Sequence, residues 1–181
     1  PTADFLIHKG FAQVRTYLNM VWRREAPPSV TLPEGFTLRP FKTRDAALPT
    51  EVQNSAFAAS WGFCPNTVEE IEYRSSMANT SHPGIIFLDH GEEAAGYCWT
   101  CKVPVEGSIR GVIGMIGIVP EYRGQGVSRP ILAAGMEYLW SQNVADIGLQ
   151  VDGNNTPGVG LYTSVGFEAV EEVHWFEGEL R

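Results

Sequence analysis

Between residues 119 and 129 the chain reads Val-Pro-Glu-Tyr-Arg-Gly-Gln-Gly-Val-Ser-Arg. The run before it, VIGMIGIVP (112–120), has strand character. From Gly126 onward, Leu132, Met136, Leu139 and Trp140 recur with the spacing of a helix face that packs on a core. A strand that closes in a glycine-rich turn and opens a helix leaves backbone N–H groups free at the positive end of the helix dipole. Gly124 and Gly126 let the backbone approach a ligand closely, so the stretch reads as an anion site, and phosphate is the anion such loops hold. Local charge agrees: residues 107 to 130 carry Arg110, Arg123 and Arg129 against a single acid, Glu121. A plain tight turn has no need of that cluster. The known nucleotide loops do not fit, since a Gly-Lys-Ser/Thr is missing and the glycine spacing is not GxGxxG.

The thiols are a second candidate for chemistry. Cys64, Cys98 and Cys101 are odd in number, which argues against a disulfide framework. Cys98 and Cys101 form a CxxC inside AAGYCWTCKV, which reads as a strand, and residues three apart on a strand point to opposite faces. No second CxxC or HxxxH adds ligands, because His8, His82, His90 and His174 are scattered. The expectation is packed thiols, and no metal.

The elements that must position the loop follow from periodicity and turn chemistry. FTLRP (36–40) is a short strand. Residues 43–60 are helical but interrupted by Pro49. Thr67-Val-Glu-Glu70 has capping-box spacing and opens a helix that should reach about Ala78. GIIFLD (84–89), a turn at 90–92 and AAGYCWTCKV (94–103) make an antiparallel hairpin. After the loop and its helix come a strand at 146–152 (DIGLQVD), a short helix from Asn155 to Val165, and a last strand, FEAVEEVHWF. This order predicts an α/β fold, an α+β mixed sheet with mixed strand directions.

The chain is long enough to bury a sizeable core: 181 residues, 44% hydrophobic and 19% charged. Its net charge of −8 repels a phosphate backbone, so no nucleic-acid partner is expected and a small cationic substrate fits better. No apolar run approaches the ~20 residues that span a bilayer, and PTADFLIHKG lacks the regions of a signal peptide. The expected location is cytoplasmic, with no membrane partner.

One internal likeness stands out. FLIHKGFAQV (5–14) and LYTSVGFEAV (161–170) align without a gap at an offset of 156 residues, matching Gly10 with Gly166, Phe11 with Phe167 and Val14 with Val170. That offset is about one domain length. Either the first two dozen residues are the tail of an earlier, similar domain, joined through Glu25-Ala-Pro-Pro-Ser, or they are the N-terminal helix and strand of a single domain.

Arg123-Gly124-Gln125-Gly126-Val127-Ser128 resembles the pyrophosphate loop of the GNAT superfamily of acyl-CoA-dependent N-acetyltransferases: Arg or Gln, two residues, Gly, one residue, then Gly or Ala, with Ser128 in the last place. VDGNNTPGVGLYTSVGF (151–167) is similar to the family's second motif. GYCWT (96–100), GIVP (117–120) and AFAASWGFCP (56–65) resemble tandem GNAT proteins related to mycothiol synthase. The resemblance implies a central twisted mixed sheet, splayed at the cofactor wedge, with helices on both faces. It also implies that residues 1–30 are the tail of a preceding GNAT-like domain plus linker, that 31–181 are the acetyltransferase domain, and that a second such domain in the chain or a homodimer is the partner.

The implied activity is transfer of an acetyl group from acetyl-CoA to the primary amine of a small acceptor; the alternative is a non-catalytic CoA-binding half of a tandem protein. Acetyl-CoA is the implied acyl donor. Ile118 and Val119 would pair with the pantetheine arm. The amides of Gly124, Gln125, Gly126, Val127 and Ser128 would hold the pyrophosphate, and Arg123 and Arg129 would offer charge to it. Asn155 would bond the pantetheine amide. Tyr162 matches the general acid that protonates the departing thiolate, a buried core tyrosine being the other reading, and backbone amides near Val119 would stabilise the oxyanion. Many relatives carry a carboxylate on the third strand. VIGMIGIV has none, which leaves Glu106 as the nearest candidate base or else a solvated loop charge. Asp152 is expected to order backbone amides. Trp61, Phe63, Tyr97 and Trp99 would line an acceptor pocket or pack in the core.

Overall fold

The computed structural model describes residues 2–42 and 47–178. They form two compact units, one running from Arg24 to Ile147 and a smaller one made of the residues up to Arg23 together with those from Gly148 on. In the larger unit four strands lie side by side in chain order, each antiparallel to its neighbour: β2 (Phe36–Pro40), β3 (Thr80–His90), β4 (Glu93–Val105) and β5 (Ser108–Ile118). The expected hairpin at 84–103 is present. The third expected strand begins at Ser108, earlier than its apolar run, because Glu106 (φ 36°) and Gly107 (φ 81°) make the two-residue left-handed turn that fits a hairpin's twist.

Alternation along β4 sends Tyr97 and Trp99 to one face and Cys98 and Thr100 to the other. On the first face Ile85, Phe87, Tyr97, Trp99 and Val119 pack with Phe41, with Val52 of α2 (Ala47–Phe57) and with Ile71 of α3 (Val68–Ser75). Tyr97 donates a 2.9 Å hydrogen bond to Gln53, which satisfies both polar groups inside that core. On the second face lies α4 (Ser128–Ser141), with Ile131, Leu132, Met136 and Leu139 fully buried. Gly135 of α4 approaches β4 so closely that a Cβ there would collide with Cys98 Sγ. Helices thus cover both faces of the strands, and the mixed α/β class agrees with the sequence.

Three local expectations change. Trp140 is 40% exposed, because it sits one residue past Leu139 and ~100° around the helix from it. Pro49 does not interrupt α2, which continues through it to Phe57, while residues 43–46 of the expected helix fall outside the described residues. The capping box of α3 forms as read: Glu70 N donates to Thr67 Oγ1 at 3.2 Å and Thr67 N to Glu70 Oε2 at 2.8 Å. That helix stops at Ser75 rather than Ala78. The Ser75 and Ser76 hydroxyls bond back to Glu72 O (2.8 Å) and Tyr73 O (2.7 Å), and so compete for the last carbonyls.

In the smaller unit, which takes β6 (Asp146–Asp152) from Gly148 on, the strand order is β6, β1 (Ala12–Trp22), β7 (Glu168–Glu177), with β1 and β7 antiparallel. Gly153 N donates to Thr16 O at 2.8 Å and Gln150 Nε2 to Asn19 Oδ1 at 2.9 Å, tying the end of β6 to β1. The internal likeness is a likeness of conformation. Gly10 (φ 87°) ends α1 (Thr2–His8) and Gly166 (φ 99°) ends α5 (Thr156–Val165), each in the left-handed conformation that stops a helix. Gly10 N bonds Ile7 O and Phe11 N bonds Leu6 O; 156 residues on, Gly166 N bonds Thr163 O and Phe167 N bonds Tyr162 O, all at 3.0 Å. Strands follow from Ala12 and Glu168, again 156 apart. Tyr17 faces Val173, its own equivalent, across the pair, so the two copies meet about a local two-fold axis.

Candidate active site

β5 ends at Ile118, and Pro120–Tyr122 makes one 3-10 turn before the glycine loop. Arg123 is extended (φ −67°, ψ 151°), whereas Gly124 (φ 75°) and Gly126 (φ 76°) are left-handed. A Cβ at either glycine would meet nothing within 4 Å, so backbone conformation and not packing calls for glycine here. Alternating handedness turns successive N–H groups into one concavity, an anion nest. The buried Val127 side chain anchors the loop and occupies the N-cap of α4, where no side chain caps the free amides. These amides and the dipole of a 14-residue helix fit a diphosphate.

The arginine cluster is not one cluster. Arg110, at the far end of β5, grips Asp146 with two bonds, Nε to Oδ1 at 2.6 Å and Nη2 to Oδ2 at 2.8 Å, and the hydrogen bonds to this carboxylate raise its pKa. Arg123 donates from Nε to Ile118 O at 3.0 Å and from Nη2 to Ala56 O at 2.6 Å, bracing the end of β5 against the end of α2. Arg129 is exposed in the first turn of α4. The count of charges between 107 and 130 therefore overstated what gathers at the loop.

At the strand end, Val119 N donates to Ala95 O at 3.0 Å. That amide is committed to β4, which removes it as an oxyanion donor. By the alternation of a strand the Ile118 N–H lies on the opposite edge of β5. Ile118, Val119 and residues 123 to 129 are brought into one continuous strand, loop and helix of the larger unit.

Asn155 and Tyr162 belong to α5 in the smaller unit. Asn155 is its N-cap, with Oδ1 accepting from Gly158 N at 3.1 Å, which leaves Nδ2 to donate elsewhere. Asp152 accepts from Asn154 N at 2.9 Å, the ordering role read for it. Tyr162 is buried, 8% exposed, with its ring edge-on to Phe167 at 6.0 Å.

Glu106 is not brought to the site. It sits exposed at the tip of the β4–β5 turn, with roughly 30 Å of strand between it and Ile118. The aromatic set also divides. Tyr97 is core, Phe63 stacks near Phe57 at 6.0 Å, and Trp61 is 38% exposed. Trp99 lines a cleft of about 150 Å³, beside Arg74 and Met115. Sequence reading missed Arg74, which the structure places in the last turn of α3, and missed the bulge at Gly114 beside it. The pairing passes from Trp99↔Met115 to Thr100↔Ile113, so Gly114 is extra. Cys98 and Cys101 do point apart: complete burial pushes the Cys98 thiol up to about 12, while Cys101 borders the cleft. No helix among the described residues is long and apolar enough to cross a membrane.

The chain is similar to known proteins in sequence and in fold. Proteins named mycothiol acetyltransferase from Pseudarthrobacter chlorophenolicus and Thermobispora bispora are 31% and 32% identical to the chain over 173 residues each. These alignments take in 91% and 87% of this chain but only 53% and 56% of those proteins, so the chain spans about half the length of the curated relatives it matches. A GCN5-related N-acetyltransferase from Sphaerobacter thermophilus shares the fold with a TM-score of 0.81 at 22% identity, covering 97% of this chain and 54% of that one. A tandem GNAT protein from the clavulanic acid biosynthesis pathway does so at 0.69 and 18%, covering 99% and 59%. The acetyltransferase (GNAT) family profile matches residues 50–167, a span that holds the glycine loop, Asn155 and Tyr162, and the chain belongs to that family.

Proposed function

We propose that the chain transfers an acetyl group from acetyl-CoA to the primary amine of a small acceptor. The observation that carries this reading is the uncapped start of α4 behind two left-handed glycines, a backbone arrangement that suits a diphosphate. Bound acetyl-CoA supplies a thioester carbonyl that an amine can attack. The amides from Gly124 to Ser128 and the Arg129 side chain hold its phosphates, and Arg123 keeps the loop in shape by clasping Ile118 O and Ala56 O. The edges of Ile118 and Val119 and the Asn155 Nδ2 orient the pantetheine. As the amine nitrogen bonds to the carbonyl carbon and the C–S bond breaks, Tyr162 Oη gives its proton to the departing sulfur, and the proton shed by the amine nitrogen passes to water, from which the phenol is restored. The expected result is amine-dependent release of free CoA thiol, followed by a thiol reagent across a panel of primary amines. CoA binding with no transfer to any of them would favour the other reading, a CoA-binding half without catalysis. That reading is supported by the distance of Glu106 and by the lack of a carboxylate among the residues lining the Trp99 cleft.

The conformational repeat supports a division into residues 1–30, the tail of a preceding GNAT-like domain and its linker, and 31–181, the acetyltransferase domain. Both copies share a left-handed glycine stop and a strand start at the same offset. A coding sequence for another such domain upstream of Pro1 is the expected finding; its absence would leave the first two dozen residues as an element of a single domain.

A further inference from the structure

Arginines of the larger unit that meet carboxylates do so at close range: Arg39 reaches Asp89 and Arg110 reaches Asp146, both at 2.6 Å. Arg74 is different. It closes α3, it is half-buried, and its guanidinium lies over the Trp99 ring, 5.8 Å from the centroid. One hydrogen bond, long at 3.4 Å, runs to Asn66 Oδ1, and among the described residues no carboxylate lies within ion-pair distance of it. A guanidinium has five N–H donors in a flat fork that matches a carboxylate. In a chain with 21 acidic residues and net charge −8, a half-buried arginine with no carboxylate beside it among the described residues needs an explanation.

The surroundings of Arg74 are built as a cleft. Thr80, Trp99, Cys101, Gly114 and Met115 line the same space of about 150 Å³, and among the described residues that line it Arg74 is the one charged side chain. The indole is fixed, with Nε1 donating to Thr80 Oγ1 at 3.4 Å. The β5 bulge leaves Gly114 unopposed on β4, an exposed residue that lines the cleft without a side chain to fill it. The charge acts inside the cleft as well: burial pushes the Cys101 thiol up, and Arg74 opposes that rise. Gly114 and Met115 lie on the strand whose end, Ile118 and Val119, is assigned above to the acyl donor, about 10 Å further along.

We propose that this cleft receives the far end of the acceptor, and that Arg74 selects amines carrying a carboxylate. The inference rests on the acyl-transfer reading and reverses one drawn from composition: overall charge favours a cationic substrate, but the cleft presents a cation. The acceptor class is then an amino acid or similar zwitterion, held by the guanidinium fork at one end with its free amine at the other.

Two measurements test it. In the first, the Arg74 Nε–H resonance of isotopically labelled protein, assigned by its loss in Arg74→Lys, is followed during titration with linear ω-amino acids from glycine to 6-aminohexanoate and with alkylamines of the same lengths. A saturable shift with an amino acid of some length, and none with the matching amine, is expected. Equal shifts with both, or no saturable shift with any, would overturn the proposal. In the second, kcat/KM for acetylation of each amino acid is divided by that of its alkylamine. Arg74→Gln should lower this ratio about ten- to a hundredfold, the worth of a hydrogen bond to a charged group, and leave alkylamine turnover within about twofold. Arg74→Lys should recover part of the loss. Should no amine turn over while the titration still reports carboxylate binding, the acyl-transfer reading fails and the anion site stands. Equal turnover of acid and amine by the parent sinks the anion site instead.

Discussion

Gly126→Glu should abolish the stabilisation that acetyl-CoA confers on the parent chain. A ligand present at 100 times its dissociation constant adds about 2.7 kcal/mol to the folded state, and a chain of this size gains about 2–4 °C in midpoint per kcal/mol, so the parent should shift by roughly 5–11 °C. Position 126 is left-handed and opens to empty space. A side chain there has room, but pays about 1–2 kcal/mol for its backbone conformation. A carboxylate adds repulsion in the nest where a diphosphate would sit, at the end of α4 that already favours negative charge. Gly126→Ala separates the two effects: it carries the same backbone cost without the charge, and should keep most of the shift. A full shift in Gly126→Glu would mean that acetyl-CoA binds without this loop. A parent with no shift would remove the cofactor reading itself.

Tyr162→Phe should lower kcat by about a hundredfold or more, the range of a positioned proton donor, with the acetyl-CoA dissociation constant changed by less than about twofold. The substitution removes one oxygen and keeps the ring, which is buried edge-on to Phe167, so the unfolding midpoint serves as the control for packing. Parallel loss of turnover and affinity would assign the hydroxyl to structure, and unchanged turnover would leave the thiolate to be protonated by solvent.

Elements governed by a few neighbouring residues were legible in the sequence. The Thr67–Glu70 capping box and the turn at 90–92 that closes the hairpin each depend on backbone angles and partners within about four residues. So does the glycine loop, where two left-handed positions and an uncapped helix start are properties of the loop alone. The 156-residue likeness became a likeness of structure for the same reason, since both copies end a helix and begin a strand by identical local rules.

The tertiary structure decided where long side chains and polar groups spend their bonds. Arg110 and Asp146 are 36 residues apart, Tyr97 and Gln53 are 44, and Arg123 and Ala56 are 67. Nothing in a local stretch says that Arg123 will brace two carbonyls or that the Val119 amide will be taken by Ala95. Glu106 illustrates the same limit: two positions before a strand in the chain, it lies at the opposite end of that strand from the loop. Type and spacing along the chain specify what a residue can do. Which partner it meets is settled by pairing across strands and packing between elements, and the bulge that sets Gly114 beside Arg74 and Trp99 exists only once β4 and β5 have paired.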